Sequence, residues 1–259
     1  MKNTAFNFAA IAILTFLTSC EDKTTTPISE DLAVAEIVTD VLVTVPEKTV
    51  QYLYVTAPSG LSLRAHNNLN SDKLAVMPYG TKVEIVTAET NNTMKVQGVA
   101  GGMHEISYNN KKGYAFNGYL SELFPPERGA NAKMYIEDLQ NTHPTAAITE
   151  LTGGTASNPT NSQTVLLPTS KWHEAFLIAQ KLYEIPRSFA VPSPKGKDKS
   201  VLKNTKQISK TWISELHVER KENRLQKIVY VNASEGYGRT VTLTKVGDMM
   251  QIEEVSEVK

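Results

Sequence analysis

The sequence is poor in the groups that do chemistry. It holds a single cysteine and five histidines. Those histidines, His66, His104, His143, His173 and His217, never approach the i, i+4 spacing of a helical metal motif. There is no nucleophile elbow, no phosphate loop and no dinucleotide glycine pattern. The string SEGYG at Ser234–Gly238 reads only as a hairpin turn. His173 beside Glu174 has the composition of an acid–base pair, but on a helix it reads first as a solvated face. Charge of one sign is lacking too, with 27 basic residues against 27 acidic. A phosphate backbone is neutralised by a basic surplus on one face, so nucleic acid is not expected as a partner. These absences predict a protein that is not an enzyme, with no catalytic residues, no cofactor and no metal.

Hydrophobic runs of spanning length are missing as well. The apolar stretch Phe8–Leu17 has roughly ten residues where a membrane-spanning helix needs about twenty. With Lys2 ahead of it, it has the form of a secretory signal. Leu17-Thr18-Ser19-Cys20 resembles a bacterial lipobox, which implies cleavage after residue 19 and acylation of Cys20. The lone thiol would then be spent on lipid, leaving none for a disulfide, a cysteine-ligated zinc or a nucleophile. Several acyl chains anchor a protein stably. Loss of Lys2 leaves 26 basic against 27 acidic residues, so the mature chain is nearly neutral. The expected location is the cell envelope, lipid-anchored to a membrane, with the outer membrane or cell surface favoured.

Residues 20–48 read as a tether. Glu21–Pro27 is polar and aperiodic, and residues 28–45 carry both a helix-start signal at Ser29-Glu30-Asp31 and an alternation at Val38, Val41, Val43 and Val45. That stretch stays open between helix and strand. Residues 49–126 carry an all-β signal. Short runs of Val, Tyr and Ile alternate with turn clusters at Pro58-Ser59-Gly60, Pro78-Tyr79-Gly80, Asn91-Asn92, Gly101-Gly102 and Asn109-Asn110. Five or so strands in a small barrel are expected, ended by Pro125-Pro126.

Residues 127–169, with a Thr/Asn/Gly/Pro/Ser-rich stretch at 152–163, read as a linker or loop. In 170–259 an α+β domain is expected. Trp172, Ala175, Phe176, Ala179, Leu182 and Tyr183 follow helical spacing over 170–185, and Pro186 stops the helix. Lys-rich residues 193–210 read as a solvated loop. Four strands in an antiparallel meander follow, at 211–219, 225–232, 239–245 and 249–255. The fold class expected is therefore mainly β with an α+β part.

Within the β-rich region three elements occur in order. They are Gly60-Leu61-Ser62-Leu63-Arg64, then Met77-Pro78-Tyr79-Gly80-Thr81-Lys82-Val83-Glu84-Ile85, then Gly113-Tyr114-Ala115-Phe116-Asn117-Gly118-Tyr119-Leu120. Alternation puts Leu61 and Leu63 on one face of a strand, and Gly80 and Gly113 stand where tight turns often need positive φ. The region from Tyr54 to Phe124 resembles the bacterial SH3 (SH3b) family of small β-barrels in secreted and envelope proteins. It covers less than a third of the chain. In many relatives a tryptophan stands where this chain has Met103, so either a ligand-facing ring is lost or a core gap is filled by a thioether. The resemblance implies a binding module for a cell-wall peptide or a protein partner. Tyr79, Tyr108, Tyr114 and Tyr119 are its candidate ligand residues, with Phe116 assigned to the core. The alternatives are an envelope cell-wall hydrolase targeted by the SH3b domain, and a purely structural or assembly lipoprotein.

Overall fold

The computed structural model describes residues 50–204 and 211–258. Cys20, the tether and the ambiguous 28–45 stretch lie outside the described residues. Nine strands form between Tyr52 and Ser121: β1 (Tyr52–Val55), β2 (Leu61–Arg64), β3 (Lys73–Met77), β4 (Lys82–Thr87), β5 (Met94–Val96), β6 (Val99–Gly101), β7 (Met103–Tyr108), β8 (Lys111–Phe116) and β9 (Leu120–Ser121). Seven of them make one antiparallel sheet in the order β3-β2-β8-β7-β4-β1-β9, while β5 and β6 pair as a separate ribbon.

The period-two pattern decides which side is buried. Leu61 and Leu63 of β2, Val83 and Ile85 of β4, and Leu53 and Val55 of β1 all join one apolar cluster with Met77, Met103, Ile106 and Phe116. Inward residues from every strand of the sheet meet there, so the sheet curls around them. The expected barrel does not close: β3 and β9 remain as the two edges. Met103 and Phe116 are both buried, and they face each other across β7 and β8.

The turn chemistry matches where positive φ is needed. Gly80 has φ +81° and donates its N–H to the Val55 carbonyl at 2.8 Å. Asn109 and Asn110, at φ +48° and +60°, form the two-residue hairpin between β7 and β8. Gly113 differs from expectation, because it lies inside β8 and outside the positive-φ set. Its requirement is space: a β-carbon there would stand 2.6 Å from the Arg64 carbonyl oxygen. The Gly101-Gly102 pair does not make a hairpin turn either. Gly101 ends β6, and its missing side chain admits Asn117 Oδ1, which would lie 2.5 Å from a β-carbon.

The largest departure is in residues 127–169. The expected linker instead supplies α1 (Ala132–Gln140), β10 (Ala147–Gly154) and β11 (Pro159–Leu167). Asn131 Oδ1 accepts the Met134 N–H at 2.8 Å and caps α1. The Thr/Ser/Asn-rich stretch is a hairpin, registered from Ala147 opposite Leu166 to Gly154 opposite Pro159. Its polar composition reflects exposed side chains, while its backbone is satisfied by the ladder and by β16.

The remaining elements are α2 (Trp172–Leu182), β12 (Lys199–Lys203), β13 (Thr211–Lys221), β14 (Arg224–Ser234), β15 (Tyr237–Val246) and β16 (Met249–Val258). The four expected meander strands are β13 to β16, but they belong to a seven-stranded sheet in the order β10-β11-β16-β15-β14-β13-β12. Glu222 and Asn223, both at positive φ, turn β13 into β14. Phe176 and Ala179 of α2 share one core with Val165, Leu243, Met250 and Ile252, and Tyr135, Ile136 and Leu139 of α1 join it. The Lys-rich segment is not all loop. Lys199–Lys203 forms the edge strand, and Arg220 donates to the Ser193 and Lys197 carbonyls at 2.9 and 3.0 Å and to Ser200 Oγ at 2.9 Å.

The described residues belong to one compact unit. The two cores touch through α2 and the segment after it, since Leu177 and Val191 pack against the first core. Lys95 Nζ donates to Ser193 Oγ at 3.1 Å across the same junction.

Candidate functional site

A cleft of about 950 Å³ opens where the first sheet meets α1 and α2. Its size falls in the range of small-ligand sites, about 300–1,000 Å³. The first sheet contributes Tyr54, Thr56 and the Tyr79-Gly80 turn, and the chain leaving it contributes Phe124 and Pro125. The α1 side adds Met134, Tyr135 and Asp138, spaced to lie on one helix face. The α2 side adds Leu177, Gln180 and Lys181, followed by Arg187.

The rings form a connected floor. Tyr54 and Phe124 meet edge-to-face with centroids 6.0 Å apart, and Phe124 and Tyr135 do the same at 5.5 Å. Tyr135 donates to the Phe124 carbonyl at 2.9 Å. Tyr79 donates to the Pro126 carbonyl at 3.0 Å, tying the β3–β4 turn to the chain leaving the first sheet. Lys181 Nζ stands 5.4 Å from the centre of the Tyr79 ring.

Electrostatically the floor is neutral. Burial pushes the Tyr79 phenol up to about 12, against the opposing pull of the Arg187 guanidinium. Burial raises Tyr135 further, with Tyr79 and Glu174 adding to the effect. Both phenols are hydrogen-bond donors at neutral pH and not nucleophiles. Beneath them lies Glu174, only 4 % exposed. The expected solvated His173–Glu174 face is therefore corrected: Glu174 accepts Thr169 Oγ1–H at 2.5 Å and Lys171 Nζ at 3.0 Å, and both its oxygens are used in holding the start of α2. Burial also lowers the His173 pKa, with Glu174 opposing and Lys171 adding. Among the described residues no group of three or more His, Cys, Asp and Glu side chains is placed to hold a metal ion.

The four tyrosines singled out from the sequence do not converge. Tyr79 lines the cleft. Tyr119 is buried and lines a separate groove of about 230 Å³ with Met103, Phe116 and Val96, its hydroxyl donating to Gln97 Oε1 at 3.3 Å. Tyr114 sits opposite Arg64 and Glu105 on the neighbouring strands, half-buried against the core. Tyr108 is half-buried at the end of β7, opposite Lys111. Neither Tyr108 nor Tyr114 lines the cleft or the groove.

Sequence reasoning missed Tyr54, Phe124, Tyr135, Leu177, Lys181 and Arg187. Part of the signal was present: Leu177 and Lys181 are four apart on the one clear helix, and Phe124 immediately precedes the proline pair. Tyr135 was hidden by the linker reading. No protein-family model matches the chain, and no curated protein matches it.

Proposed function

We propose that the chain is a lipid-anchored, non-catalytic envelope protein, and that its SH3b-like module and helical module together bind a cell-wall peptide or an envelope protein in the cleft between them. The observation that carries this reading is the composite cleft itself, with an aromatic floor of Tyr54, Phe124, Tyr79 and Tyr135 and polar groups at its rim. Aromatic-lined grooves capture extended peptides because flat rings give contact area at little entropic cost. The phenols are neutral and already hydrogen-bonded, and Glu174, the one buried carboxylate among the described residues, uses both its oxygens, which suits holding better than proton transfer. The anchor at Cys20 belongs to the same reading and rests on the lipobox-like sequence.

The test is co-sedimentation of the full chain, in detergent, with purified peptidoglycan sacculi. Met134 is 55 % exposed on the cleft wall, so Met134→Trp fills the cleft without disturbing a core. Wild type is expected to co-sediment and the variant to remain in the supernatant. Equal retention of the two would remove the cleft from the account, and prolonged incubation should release no muropeptides.

A further inference from the structure

The charges around the cleft are divided by sign. Asp138 is on α1 and Glu127 lies just ahead of that helix, whereas Lys181 is on α2 and Arg187 follows it. Arg128 is the exception, a cation next to Glu127. The ion pairs found among the described residues lie elsewhere, at Lys171–Glu174, Lys203–Glu215 and His217–Glu215. No charged group on the cleft rim reaches another of opposite sign, although exposed acids and bases pair readily when within reach.

We infer that the cleft selects an amphoteric peptide end, one that presents a free carboxylate to Lys181 and Arg187 and an ammonium group to Asp138 and Glu127. This rests on the binding reading above and narrows its ligand class. The apolar part of such a peptide lies over Phe124 and Met134. An anionic polymer would bring its charge against Asp138 and Glu127, and a polycation would meet Lys181 and Arg187; each satisfies one wall and is repelled by the other. Only a ligand carrying both signs, spaced across the cleft, finds a partner on each side, through charge-assisted hydrogen bonds.

The experiment is calorimetric titration of the full chain in detergent with three probes: N-acetyl-Lys-D-Ala-D-Ala, its C-terminal amide, and its Nε-acetyl form. The free peptide is expected to bind, and each modified peptide about tenfold more weakly, as the loss of one charged contact predicts. Lys181→Gln with Arg187→Gln should abolish discrimination between acid and amide while keeping discrimination against the acetylated lysine. Asp138→Asn with Glu127→Gln should do the reverse. Glu127, Asp138 and Arg187 are exposed and Lys181 is half-buried over the Tyr79 ring, and an unchanged melting temperature confirms that each double variant folds. Equal binding of the three probes, or binding of none, overturns the inference. If Met134→Trp still abolishes sacculus binding in that case, the cleft reading stands and the amphoteric ligand class alone has failed.

Discussion

Replacing Gly113 and Gly80 in parallel separates two physical reasons for glycine in the same fold. At Gly113 a β-carbon would sit 2.6 Å from the Arg64 carbonyl oxygen and 3.1 Å from two carbons of the buried Leu63 side chain. The first neighbour is backbone, so β8 must move away from β2. Overpacking of this kind costs about 1–3 kcal/mol, equivalent to a melting temperature lower by roughly 2–12 °C in a unit of this size. At Gly80 a β-carbon meets nothing within 4 Å, but φ is +81°. Alanine there costs about 1–2 kcal/mol of left-handed strain, which asparagine relieves in part because its side chain bonds locally. Thermal melts of Gly80→Ala, Gly80→Asn, Gly113→Ala and Gly113→Asn read the difference. Asparagine should recover stability relative to alanine at 80 and worsen it at 113. Recovery at 113, or a neutral Gly113→Ala, would refute the close-approach argument.

Three further outcomes are expected. His104 Nδ1 accepts the Glu89 N–H at 2.8 Å, and burial lowers its pKa from 6.5, with Glu89 opposing and Lys171 adding. The unfolded chain therefore takes up the proton first. Stability is full above about 6.5 and falls as pH drops through the window between that value and the lower folded one; urea midpoints at pH 5 and 8 should converge in His104→Gln, apart from the same-signed contribution of His173. Arg220→Ala removes three hydrogen bonds that hold the 193–200 segment, so tryptic cleavage near Lys195 and Lys197 should rise several-fold with the rest of the chain intact. Cys20→Ser should abolish palmitate labelling, and a variant that still labels and fractionates with membranes would contradict the lipobox reading.

The parts of the fold legible in the sequence are those where one face is buried and the other wet. Helix α2 was readable from Trp172, Ala175, Phe176 and Ala179, and β13 to β16 from alternation such as Leu216 and Val218 or Val241 and Leu243 between hairpin turns. The β10–β11 hairpin was not, because β10 is exposed from Thr149 to Gly154 and the first six residues of β11 are polar or proline, so only Val165 and Leu167 at its far end mark a period. Threonine-rich strand and threonine-rich loop look alike when the stabilising contact is the backbone ladder. The open edges of the first sheet were equally invisible, since closure depends on strand pairing and not on composition. The cleft was the least legible part. Its rings come from β1, the β3–β4 turn, the chain after β9, and α1, segments separated by up to about eighty residues, and no local pattern records that they meet.

Occupancy of the cleft in the living envelope tests the central claim most directly. A photoreactive benzoylphenylalanine placed at Met134, exposed on the cleft wall, reports whatever lies there, and the same group at Lys245, exposed in β15, serves as the control. The account predicts light-dependent adducts with wall peptide or one envelope protein at 134, reduced in yield when Lys181 and Arg187 are both replaced by glutamine, and no such adduct at 245. Adducts of equal yield at both positions, or none at 134, would contradict it.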